Sequence, residues 1–108
     1  MATPNTSSGF IALRAATLGV HDLVRRDLRA WLNTAVDFRG DIIEPAPPED
    51  ETLRVFAGAI AALSRDDRRD YRLWVMNWTD YTGRVITPTE KSARIERLRA
   101  DATARGIV

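Results

Sequence analysis

The stretch SRDDRRDYRLWVMNWTDYTG, Ser64 to Gly83, decides the fold. Ser64 has a short hydroxyl side chain suited to capping, and Asp67 three residues later supplies the acidic partner of a capping box. At about 100° per residue, Tyr71, Trp74, Val75, Trp78 and Tyr81 fall on one arc. Leu73 and Met76 fall on the other side, among Arg69, Arg72, Asn77 and Asp80. The spacing predicts a helix over 65–82 that stops at Gly83, buries its aromatic face and leaves a small apolar spot at Leu73 and Met76.

Downstream, Thr87-Pro88-Thr89-Glu90 combines a capping threonine, a first-turn proline and a box-completing glutamate. A helix is expected over 88–105 with Gly106 beyond it, its thin apolar stripe made of Ile95, Leu98 and Ala102. Upstream, Leu53, Phe56, Ile60 and Leu63 predict a helix over 49–63. Pro48 and the acidic trio Glu49, Asp50 and Glu51 suit its start. Small and apolar residues surround it, Gly58 among them, so it reads as the central helix.

The first helical pattern runs from about Ser8 to Phe38, roughly 45 Å at the standard rise. Leu13, Val20, Val24, Leu28, Trp31, Leu32 and Ala35 share a face, and Gly19 is the natural place for a bend or break. The steps Leu13, Thr17, Val20, Val24, Leu28, Trp31, Ala35 and Phe38 resemble a coiled-coil seam, which suggests a homodimer through helix 8–38. Residues 42–48, with Pro45, Pro47 and Pro48, read as an extended connector, and residues 1–7 as a disordered leader. Arg84 to Ile86 is the one candidate strand, and no internal repeat stands out. The fold class is all-α: a single-domain four-helix arrangement with a long first helix.

Composition removes several chemistries. Cysteine is absent, so thiol catalysis and Cys-ligated metals are excluded. No signal peptide or membrane span is visible, and the chain reads as cytoplasmic. Arginine far exceeds lysine and alanine is abundant, as in GC-rich bacterial or phage genomes. His21-Asp22 spells the pair used by metal phosphohydrolases, but His21 is the sole histidine. Asp66-Asp67-Arg68-Arg69-Asp70 spells the D-D-x-x-D that presents magnesium–diphosphate ligands in prenyl-chain enzymes, yet the chain is too short to enclose their cavity. First-turn aspartates are also favoured by the helix dipole. No nucleophile–base pair and no phosphate-binding glycine loop is legible, so neither enzyme activity nor a cofactor is expected.

Two binding readings remain. Trp, Tyr, Met and Arg are enriched at protein interfaces, and the surplus apolar spot points to a protein partner held by Leu73, Met76, Arg69 and Arg72. That makes a helical interaction module such as an adaptor, anti-activator or inhibitor. The alternative is a DNA-binding regulator using helix 88–105, with Lys91, Arg94, Arg97 and Arg105 on phosphates. A net charge of +1 gives that alternative little bulk attraction to nucleic acid.

Overall fold

The computed structural model describes residues 7–43 and 48–106, an all-helical body of 46 × 31 × 25 Å. Helices α1 (Ser8–Leu18), α2 (Asp22–Ala35), α3 (Glu51–Ala62), α4 (Arg65–Trp78) and α5 (Pro88–Ala104) follow in order. Each begins on a residue whose side chain accepts an early backbone N–H: Ser7, His21, Asp50, Ser64 and Thr87. Residues 1–6 of the expected leader, and 44–47 of the expected connector, lie outside the described residues. Ser7 is no part of a disordered leader, because it caps α1.

Four expectations need correction. The long first helix is two helices, so there are five among the described residues. The chain turns at Gly19–Val20 and restarts on His21, whose Nδ1 accepts from Leu23 N at 3.1 Å. This removes a continuous seam over 8–38, and Leu13 and Leu28 are spent on the chain's own core. Helix α4 ends at Trp78, four residues early, because Asp80 captures the backbone into a turn closed by Thr82 N at 2.9 Å and Arg84 N at 3.1 Å. Tyr81 therefore leaves the aromatic arc and stands 82 % exposed.

Helix α3 starts one residue past its Asp50 cap, so Pro48 is not its first residue. It is not central either. Only Phe56 and Ile60 of α3 are buried, Val55 faces outward, and a Cβ at Gly58 would meet nothing within 4 Å.

The fourth correction concerns repetition. Residues 7–43 and 50–86 build the same unit twice, related by a constant shift of 43 positions. The caps Ser7 and His21 correspond to Asp50 and Ser64, and the C-caps Val36 and Thr79 correspond likewise. Isolated antiparallel bridges join Val36 to Ile42 and Thr79 to Val85. Gly40 and Gly83 take the left-handed turn position with φ of 88° and 86°. The shared sequence is R-R-D-x-R-x-W-x5-D-[FY]-x-G-x-[IV]-I, at 25–43 and 68–86.

The two units interlock. Helix α1 packs on α4 and α2 packs on α3, while α1 meets α3 and α2 meets α4 across the junction. Leu13, Leu28, Leu32, Phe56, Ile60, Tyr71 and Val75 thus form one core drawn from both units. Burying a side chain of this size contributes roughly 1.5–3 kcal/mol, and here the burying contacts are drawn from both units.

Two arginines tie the units reciprocally. Arg25, 5 % exposed, donates to Thr17 O, Leu18 O and Val20 O at the end of α1, and its Nε donates to Gly83 O at 2.7 Å. Arg68 donates to Ile60 O, Ala61 O and Leu63 O at the end of α3, and to Gly40 O at 2.9 Å. Each guanidinium caps orphan carbonyls in its own unit and grips the turn glycine of the other. A Cβ on Gly40 would collide with Arg65 O, and one on Gly83 with Asp22 O. Such exchange of identical contacts is the logic of a twofold dimer, here within one chain.

Candidate functional site

The fifth helix breaks this symmetry. It follows the second unit alone, runs 17 residues, and buries none of them. Its first turn is anchored where Arg84 Nη2 meets Glu90 at 2.8 Å, and where Lys91 donates to Asn77 O at 2.9 Å with its ammonium over the Trp78 ring. The hydrogen bond between Arg84 and Glu90 holds the Glu90 carboxyl below its usual range and raises the Arg84 guanidinium further. Beyond that turn, Ile95 and Leu98 remain exposed, Leu98 at 68 %.

Between α4, the 79–86 turn and α5 lies a groove of about 570 Å³. Met76, Tyr81, Ile86, Ile95 and Leu98 supply its apolar lining, and Arg29, Lys91 and Arg94 its positive charge. Asp80 also lines it, but that carboxylate is turned into its own loop. The Thr82 hydroxyl, followed by the backbone N–H groups of Thr82 and Arg84, keeps its carboxyl below the usual range. A shallower surface over Ile95, Leu98, Arg99, Ala102 and Thr103 continues the groove along α5.

The residues expected to hold a partner are divided by the structure. Met76 is half-buried against the core and lines the groove. Leu73 is 59 % exposed but lies outside the groove lining. Arg69 is paired with Asp66 and Asp70 in its own helix. Arg72 joins the two units, donating to Val36 O at 2.8 Å and Asn33 Oδ1 at 3.3 Å. Of the cations expected to contact nucleic acid, Lys91 and Arg94 line the groove, whereas Arg97 is exposed elsewhere on α5 and Arg105 is exposed at its C-cap.

Sequence reasoning missed Arg29. It is the counterpart of Arg72, but its Nε is buried with no hydrogen-bond partner where Arg72 Nε reaches a backbone carbonyl. Only alignment of the two units could have marked it. A smaller apolar cavity of about 290 Å³ lies between the units, lined by Trp31 and Ile42 of the first and Ala57 and Ile60 of the second. No group of three or more metal-ligating side chains occurs among the described residues, and no helix there is long and apolar enough to cross a membrane.

The geometry defines a class: an internally duplicated all-helical unit with an appended, unburied helix. Comparison with protein-family models, curated proteins and solved structures finds no match.

Proposed function

We propose that this chain is a non-enzymatic protein-interaction module, an adaptor or inhibitor, whose partner seats in the groove between α4 and α5. The carrying observation is α5 itself, a 17-residue helix with no buried residue that presents Ile95 and Leu98 beside a groove. A helix of this length is marginal in water unless an apolar face is covered, and the chain's own core covers none of it beyond the first turn. A partner segment laid against α5 would cover that face and stabilise the helix. Helix-in-groove recognition works this way, with a few apolar anchors supplying most of the affinity.

The test is affinity purification of the tagged chain from its own cells, beside a Leu98→Asp variant. A stoichiometric protein retained by the wild type and lost by the variant, with helicity unchanged, supports the reading. Retention that ignores Leu98→Asp rejects the groove. Tight binding of duplex DNA, weakening steeply between low and physiological salt, would replace this reading with the nucleic-acid one.

A further inference from the structure

The reciprocal design leaves one donor unused. Arg72 Nε donates to Val36 O, so symmetry assigns Arg29 Nε to Thr79 O, yet Arg29 makes no hydrogen bond and no ion pair among the described residues. Arg29 borders the α4–α5 groove and also the neighbouring hollow against Asn33, Met76 and Tyr81. Lys91 and Arg94 stand on the same groove, and Arg94 also has no ion pair among the described residues. The one carboxylate lining it, Asp80, is occupied by Thr82 and Arg84. A buried guanidinium N–H without an acceptor, beside two further cations, is an unsatisfied arrangement that an incoming anion completes.

Resting on the reading above, we infer that Arg29 receives a carboxylate of the partner, so that the groove selects an acidic, apolar protein segment. The ligand chemistry is an Asp or Glu side chain on Arg29, flanked by Lys91 and Arg94, with adjacent apolar side chains on Met76, Ile95 and Leu98. A nucleic-acid strand would satisfy the cations, but its phosphates would leave those apolar residues without a counterpart. Charge and apolar lining together favour a peptide.

The probe is a displayed library of random 16-residue peptides selected on the full chain. Four baits are used in parallel: wild type, Arg29→Gln, Arg94→Gln and Leu98→Asp. The expected result is a family of binders lost on Leu98→Asp and carrying Asp or Glu at a fixed spacing from an apolar residue. Their affinity should fall at least tenfold on Arg29→Gln, and less on Arg94→Gln. Circular dichroism checks that each bait folds; if Arg29→Gln does not, the Arg94→Gln comparison decides. Leu98-dependent binders without acidic preference overturn the carboxylate site and leave the module reading standing. Absence of any Leu98-dependent binder overturns both. A 20-base-pair duplex that displaces the peptides from Arg29 at physiological salt overturns the inference in favour of phosphate.

Discussion

Thr17 and Tyr71 share a hydrogen bond of 2.8 Å in the core, where the equivalent positions of the repeat, Ile60 and Leu28, carry no polar side-chain atom. The Thr17 hydroxyl gives its proton to Leu13 O at 2.7 Å, so Tyr71 is the donor in the pair. One polar residue in each unit, Thr17 in the first and Tyr71 in the second, thus makes a polar contact that satisfies itself. It distinguishes the α1–α4 interface from the otherwise equivalent α3–α2 interface.

Burial pushes the Tyr71 hydroxyl up to about 12. The native state therefore keeps a proton that the unfolded chain releases near pH 10. Stability is whole below that pH and declines as pH rises from about 10 to 12, by roughly 1.4 kcal/mol per unit. Urea denaturation at pH 8, 10 and 11 should show this decline, and Tyr71→Phe should flatten it while costing about 1 kcal/mol at neutral pH.

Replacing Arg25 or Arg68 by methionine strands four carbonyls that each guanidinium now satisfies. A loss of about 3 kcal/mol or more is expected for either variant, scarcely dependent on salt for Arg68 and slightly so for Arg25, which also pairs with Asp22. Arg26→Gln, which removes an exposed pair with Asp27, should cost under about 1 kcal/mol. Chemical denaturation of the three variants makes the comparison.

Glycine substitutions should separate two kinds of site. Gly40→Ala and Gly83→Ala combine a left-handed backbone with backbone collision across the unit boundary, so each should lose at least about 2 kcal/mol. Gly58→Ala meets open space in mid-helix and should gain up to about 1 kcal/mol. Thermal melts would show opposite shifts.

A chain cut between residues 43 and 48 should keep its fold, since the interfaces α1–α4 and α2–α3 join the pieces. Either piece alone should lack helical circular dichroism, and mixing them should restore it. Helicity in the isolated first piece would show that it can form a core unaided.

Much of this structure was legible in the chain. Ser64 and Thr87 announce the starts of α4 and α5 because capping depends on residues within one turn. The ends of α3 and α5 were legible to within a residue, but the end of α4 was not: hydrophobic periodicity continues through Tyr81, and only the Asp80 turn stops the helix. The repeat escaped notice because its core positions exchange size, Leu13 for Phe56 and Leu28 for Tyr71, while its constant residues are scattered. Arg25 and Arg26 look alike in sequence, yet one is buried and the other exposed, since tertiary contacts alone decide between them. Of the proposed partner-binding set, Met76 lines the groove and Arg72 serves the junction between units, a division no single helix wheel could reveal.

The interlocking has a consequence for synthesis. As the chain leaves the ribosome, α1 and α2 emerge without the surfaces they are built to meet. Their core is completed only by Tyr71 and Val75 of α4, and the last of Arg25's four carbonyl acceptors arrives with Gly83. A chain that stops before α4 therefore leaves the apolar faces of α1 and α2 without the surfaces that cover them, and limited proteolysis of such a product should cut it faster than the whole chain.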